Sequence, residues 1–365
     1  HRDGAIRGHR SEMDYNEGKQ TLRLVNHGVA LPCSGDRSIL LLGETDKQAR
    51  EDEAGEKGEG LTLAILGLVQ MGHDVNVRTG NEKWTAEITP SKLFASDTLK
   101  IDVRKTKAFA ERFEVTITKV SPEMYKEACS RCLWIDAPEE GAEINVDRGS
   151  ILTGSRFEGK LFAKGIYVGD LPGDYAYGYD LPVKLDRDRK LADPWDLNWE
   201  VARALREAVR SDLIPADEVL QLIESRPSSG EGRVFVGEVA RGYNDAFHKK
   251  IAAAFAARHG ADTVPVTSTA QSADAEHHGL RAVVTSEAAA AIVEVANGSF
   301  ASKKAARALE AEKVYAYGEL DQEEGATFTR AIELLQVALP QFEAARVSVV
   351  DFVGKRVKGT HNADT

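Results

Sequence analysis

A chain of 365 residues with 42% hydrophobic content has room for two or three globular domains and an ordinary soluble composition. Its formal net charge of −11 excludes a sequence-blind grip on nucleic-acid phosphates over the whole surface and leaves only a local basic groove open for that role. No apolar run approaches the about 18 residues of a membrane span, and the cysteines, Cys33, Cys129 and Cys132, fit a reducing cytosol better than a disulfide framework, so a cytoplasmic protein without a membrane partner is expected.

In chain order, residues 5–10 (AIRGHR) and 21–26 (TLRLVN) read as short strands, with turn residues in DYNEGK, Asp14–Lys19, between them. ILLLG, Ile39–Gly43, is a short apolar segment. Leu61–Met71 predicts a buried helix: Leu61, Ala64, Ile65, Leu68 and Val69 recur at helical spacing, and Gly72 stops it. Strand-like pieces follow at DVNVRT, KWTAEIT, LKIDVRK and FEVTITKV, which predicts an α+β layer with strands under one face of that helix.

A second block follows Gly154–Lys160. KLFAKGIYVG reads as one strand and YGYDLPVKLDRDRK as a charged connection. Trp195–Leu213 and Pro215–Arg226 are amphipathic helices, the second with proline at its start. RPSSGEGR, Arg226–Arg233, has the composition of a linker loop. Beyond it come a helix over Gly242–His259, strands at TVPVTS and RAVVTS, alanine-rich helices and a last strand over Val347–Val353, an alternation that predicts an α/β unit. The expected domains are 1–150, 151–230 and 231–365, with no internal repeat.

The most informative stretch is EAGEKGEGLTLAILGL, Glu53–Leu68. It places Gly55, Gly58 and Gly60 between the charged run Asp46–Asp52 and the apolar helix. The pattern GxxxxGK[ST] is absent, and the glycines run GxxGxG after charged residues rather than GxGxxG after a strand. What remains is a loop of unshielded backbone N–H groups leading into a helix N-terminus, an anion-binding arrangement.

Asn26-His27-Gly28, Thr45-Asp46-Lys47 and Gly55-x-x-Gly58-x-Gly60-Leu61, in this order, resemble the ATP-binding motifs of the GHKL superfamily, which includes gyrase B, heat-shock chaperones, MutL and histidine kinases. The resemblance covers roughly residues 5–120. It implies a Bergerat-type α+β ATP-binding sandwich followed by an α/β second domain, with ATP and Mg²⁺ as cofactors. It also implies that Asn26, where the family has Asp, and Gly28 hold adenine. Thr45 and Lys47 would open a lid at the phosphates, and Gly55, Gly58, Gly60 and Leu61 would wrap them. The family's later Gly-Thr pair would fall at Arg112-Phe113, ahead of Val115-Thr116-Ile117, and is missing.

The family's general base, a Glu, and its Mg²⁺ ligand, an Asn, lie on a helix before the first of these motifs. Glu12-x-x-x-Asn16 has that spacing, but Asn16 and Asn26 are only ten positions apart, too few for a helix, a returning strand and a turn. The base is therefore expected upstream of His1. Lys164 is a phosphate sensor by analogy with the family's second domain, although a solvated strand lysine is the plainer reading. The resemblance implies a nucleotide-driven switch acting on a protein client, a second copy of the chain or nucleic acid. The alternative is a non-hydrolysing binding or scaffold protein that retains the fold.

The remaining candidates read as structure. Cys129-x-x-Cys132 has no second pair or histidine at zinc spacing. Glu276-His277-His278 and His259-Gly260 have the chemistry of helix ends. Leu185–Lys190 reads as a salt-bridged loop, and no Gly-x-Ser-x-Gly elbow is present.

Overall fold

A computed structural model describes residues 10–31, 40, 60–93, 95–186, 190–235, 245–308, 311–315, 322–338 and 349–352. Its chain divides into two compact units, residues 1–143 with 160–169 and 180–182, and residues 144–159 with 170–179 and 183–365.

The first unit opens with a hairpin of β1 (Ser11–Asn16) and β2 (Thr21–His27). Its turn is as expected: the Asn16 side chain accepts from the Lys19 N–H at 2.9 Å, and Gln20 takes a left-handed φ of 47°. The first strand lies later than residues 5–10, of which 5–9 are outside the described residues. Met13 and Tyr15 fix its register, because both pack into the core beside Leu22 and Leu24.

Helix α1 (Gly60–Gln70) ends at Gly72, whose φ of 90° favours glycine. Ile65 is buried against Val75, Val77 and Trp84, with Leu61, Leu68 and Val69 around it, whereas Ala64 is exposed. The four expected strand pieces are two long strands, β3 (Val75–Ser91) and β4 (Ser96–Ile117). The residues that read as breaks are absorbed by ladder irregularities at Thr79–Gly80 and Gly80–Glu82, after which pairing resumes to Ser91↔Ser96. Gly80 has a φ of 53° there, and buried Glu82 accepts the Trp84 indole N–H at 2.9 Å. The sheet order is β1-β2-β4-β3, antiparallel throughout, with α1 on one face, an α+β layer. Helix α2 (Pro122–Ser130) is capped by Ser121 and stacks Tyr125 on Tyr15 at 4.2 Å.

Strands β5 (Glu143–Val146) and β6 (Gly149–Leu152) neighbour each other in the second unit. In the first unit, KLFAKGIYVG is not one strand but a hairpin of β7 (Lys160–Ala163) and β8 (Ile166–Asp170). Lys164 and Gly165 have φ of 56° and 73°, the two-residue turn whose twist matches paired strands. Strand β9 (Gly178–Asp180) lies beside β6.

The second unit is then mainly helical. Helix α3 (Pro194–Arg210) buries Leu197, Val201, Leu205 and Ala208 along one stripe and leaves Trp195 and Trp199 exposed. Helix α4 (Ala216–Ser225) follows Pro215. The segment with linker composition contains α5 (Gly230–Val234), whose Gly230, Glu231, Gly232 and Val234 are buried. Its glycines serve close packing rather than flexibility: a Cβ at Gly230 would stand 2.0 Å from Cζ of Tyr175, and one at Gly232 2.6 Å from the Pro227 oxygen. Helix α6 (Ala246–His259) packs on α3 and α4, and ends at Gly260 with φ 105°.

The expected α/β alternation is present. Strand β10 (Thr263–Val266), α7 (Thr269–His277) and β11 (Arg281–Val284) form a crossover with parallel strands. Helices α8 (Glu287–Asn297) and α9 (Phe300–Ala308) follow. Strand β12 (Ala311–Tyr315), α10 (Gln322–Ala338) and β13 (Val349–Phe352) come last, β12 and β13 pairing antiparallel. Among the described residues no helix is long and apolar enough to cross a membrane.

Candidate functional site

The register of the first sheet sets the site. Residues directly opposite in an antiparallel ladder point to the same face. Tyr15, Leu22, Ile117 and Val75 form one such row, and Met13, Leu24, Val115 and Val77 the next. Both rows pack into the clusters that Leu68 of α1 joins. The third row on this face is Ser11, Asn26, Phe113 and Thr79, in which three hydrogen-bonding side chains accompany one aromatic ring. Alternation along β2 thus carries Asn26 to the α1 face two residues after Leu24.

Within the row, the Ser11 hydroxyl donates to Asn26 Oδ1 at 2.8 Å. Thr79 is fully buried, and its Oγ1 accepts from the Leu31 N–H at 2.7 Å. The Phe113 ring meets Trp84 edge-on at 6.1 Å. Beyond Asn26 the chain leaves the sheet at Gly28, whose φ of 71° is left-handed and whose N–H donates to the Glu111 carbonyl at 2.9 Å. The half-buried carboxamide of Asn26 and hydroxyl of Ser11, beside a glycine turn, carry the donors and acceptors that a planar, hydrogen-bonding ring would use. Thr79→Val should destabilise the first unit by about 1–2 kcal/mol, because it leaves the Leu31 N–H without its acceptor; urea unfolding followed by circular dichroism measures this.

The opposite face of the sheet is ionic. Glu114 pairs with Arg23 at 3.1 Å and with Arg112 at 2.8 Å. Glu12 pairs with Arg10 at 2.7 Å and His27 at 3.2 Å, and the His27 hydrogen bond holds its carboxyl below the usual range. Glu12 and Asn16 therefore lie on a strand, as the short spacing to Asn26 required.

Of the residues proposed from sequence, Asn26 stands at the end of β2 and Gly28 in the turn after it, while Gly60 and Leu61 open α1 on the face Asn26 shares. No described atom lies within 4 Å of where a Cβ would stand at Gly60, so packing among the described residues does not demand glycine there. Thr45, Lys47, Gly55 and Gly58 lie outside the described residues. Lys164 is on the β7–β8 turn rather than on a strand; the adjoining Gly165 donates its N–H to Asp180 at 2.8 Å and accepts from the Leu133 N–H at 2.9 Å. Sequence reasoning missed Ser11 and Thr79. The Thr79-Gly80 pair sits opposite Phe113, one strand away from where a Gly-Thr pair was sought. A glycine inside a strand pattern was the available signal.

Among the described residues no group of histidine, cysteine or carboxylate side chains could hold a metal. His277 closes α7, with His278 as its cap residue.

No model of a known protein family matches the chain, and no curated protein matches it. It is similar to the ATPase region of Saccharomyces cerevisiae topoisomerase II, in a crystal structure bound to ICRF-187 (dexrazoxane) and in a second one. Each shows 10% identity and a TM-score of 0.27, covering 44% of this chain and 56% of that one. It is also similar to the ATPase and transducer domains of DNA topoisomerase II from Balamuthia mandrillaris, with 11% identity and a TM-score of 0.25, covering 43% and 54%. The chain spans about half the length of these structures. Such low scores bring no residue into correspondence, and the site rests on its own geometry.

Proposed function

We propose that the first unit binds an adenine nucleotide in the manner of the GHKL superfamily and that the bound nucleotide drives a conformational switch. The observation supporting this is the polar row Ser11–Asn26–Phe113–Thr79 on the sheet face covered by α1, beside the turn at Gly28. Asn26 Oδ1 has a lone pair beyond the one that meets Ser11, and its amide group carries two donors; together they match the amino group and a ring nitrogen of adenine. The glycine loop ahead of α1, with Thr45 and Lys47 on its charged flank, would close over the phosphates and be released when they leave.

The described residues do not fit Mg²⁺. Glu12 is engaged by Arg10 and His27, Asn16 caps its own turn, and among the described residues no group of three histidine, cysteine or carboxylate side chains is assembled. No hydrolytic step is assigned to them. The second reading is a non-hydrolysing binding or scaffold protein that retains the fold; Arg112-Phe113, standing where the family has Gly-Thr, favours it.

Asn26→Ala should weaken ATP binding by roughly 1–3 kcal/mol, the cost of leaving polar atoms unpaired in a buried site. It should also erase discrimination between ATP and GTP, as read by competition calorimetry. Undiminished discrimination would remove Asn26 as the base reader.

A further inference from the structure

Cys129 and Cys132 stand on either side of the end of α2, where the Cys132 N–H donates to the Cys129 carbonyl at 3.0 Å. That hydrogen bond closes a turn between positions i and i+3, whose Cα atoms lie less than about 7 Å apart. A disulfide spans Cα separations of about 4.4–6.8 Å, so the backbone already holds the pair near bonding distance. Both cysteines are free, and each is only half-buried. We propose that Cys129 and Cys132 form a reversible dithiol–disulfide site, oxidised by a low-molecular-weight disulfide such as glutathione disulfide, and that the bond tightens the junction around the turn. The site is independent of the nucleotide site proposed for the same unit.

The neighbours divide the roles. Tyr125 lies one helical turn before Cys129, and its hydroxyl is hydrogen-bonded to the Cys129 sulfur. A hydroxyl there can donate to a thiolate, the form of cysteine that attacks. Burial, and after it the neighbouring Cys129, push the Cys132 thiol up, which suits the second, resolving role. In the first step the Cys129 thiolate attacks one sulfur of glutathione disulfide. A Cys129–glutathione bond forms and one glutathione thiolate leaves. Cys132 then loses its proton to solvent and attacks the Cys129 sulfur; the Cys129–Cys132 bond forms and the second glutathione thiolate leaves. The two cysteines give up two electrons and two protons, and glutathione disulfide becomes two thiols.

The turn has a structural position worth tightening. The Arg131 carbonyl accepts from the Tyr167 N–H at 2.8 Å, the Gly165 carbonyl accepts from the Leu133 N–H at 2.9 Å, and Cys132 bridges to Ile166. The Arg131 guanidinium lies 5.7 Å from the centre of the Tyr167 ring. These contacts hang the β7–β8 hairpin on the end of α2, while the Tyr125–Tyr15 stack ties the same helix to β1. A covalent bond across the turn restricts the unfolded chain and holds this junction closed. Its half-exposed sulfurs leave it open to thiols, which suits a bond made and broken rather than a permanent staple. Among the described residues no group of three histidine, cysteine or carboxylate side chains could hold a metal, so the pair fits redox chemistry better than zinc.

The test uses the full chain carrying Cys33→Ser, in which these two are the remaining cysteines. It is equilibrated with mixtures of glutathione and glutathione disulfide, alkylated, and read by mass spectrometry. Joint loss of both thiols, a peptide with an internal Cys129–Cys132 bond and full recovery in dithiothreitol are expected. Cys132→Ser should stop at a mixed disulfide on Cys129. Tyr125→Phe should slow thiol loss and leave the end point unchanged. The urea midpoint of the oxidised chain should lie above that of the reduced chain. Asn26→Ala should leave the oxidation unchanged, which separates this site from the nucleotide site. Should Cys33→Ser fail to fold by circular dichroism, peptide mapping of the parent chain carries the test. Both thiols surviving excess glutathione disulfide, or ending as two separate mixed disulfides, overturns the site; an unchanged urea midpoint overturns the tightening.

Discussion

Glu231→Ala should cost about 3–5 kcal/mol of folding stability, the range for removing one partner from a buried charged network. Glu231 is fully buried on α5. Its Oε1 accepts from the N–H groups of Ala176 at 2.9 Å and Tyr177 at 3.2 Å and from the Tyr179 hydroxyl at 3.0 Å. Alanine strands all of these donors and opens a void beside Gly230 and Gly232, where neighbouring atoms already leave no room for a Cβ. Urea unfolding monitored by circular dichroism measures the loss; a cost below about 1 kcal/mol would mean that water replaces the carboxylate.

The same residue predicts a pH dependence. Burial pushes the Glu231 carboxyl above its ordinary value, against the hydrogen bonds that favour its charged form. Its Oε2 is buried and has no partner among the described residues. The folded chain therefore retains a proton that the unfolded chain releases near the ordinary glutamate value, about 4.3. As pH rises from there to the raised folded value, the native state binds more protons than the unfolded state, and stability falls. Below that window the penalty is absent. Glu231→Gln should remove this component of the pH slope, measured as urea midpoints across the acid range.

Gly58→Val should abolish nucleotide binding, with affinity reduced at least roughly 100-fold, about 2.7 kcal/mol. In the proposed closure the loop passes its backbone over the phosphates, and a β-branched side chain would stand in their path as well as forbid left-handed φ. Stability, read as the urea midpoint, should change little. Unchanged affinity would remove the glycine loop from the site.

These predictions draw on parts of the molecule that differ in how far sequence exposes them. Helix α1 was legible because its apolar spacing and its stop at Gly72 are local signals, and the β1–β2 turn was legible for the same reason at Asn16–Lys19. The ends of α6 and α7 follow from local capping chemistry as well. Long-range pairing was not legible. The irregularity at Gly80 resembles a chain break until β4 is seen to continue past it. Ser11 and Thr79 join Asn26 only through strand register, which no short window encodes. GEG in α5 has the composition of a linker, and only the Tyr175 ring and the Pro227 carbonyl reveal it as close packing. Lys164 and Gly165 were hidden for a third reason: one apolar run was long enough to pass for a strand, and the turn within it is two residues long.

The most direct test of the central proposal is calorimetric titration of this chain with ATP, ADP and GTP, with and without Mg²⁺. Saturable binding that prefers ATP and ADP to GTP is the predicted result, since in the proposed site base recognition falls to Asn26 and its row. Absence of binding, or equal binding of ATP and GTP, would contradict it.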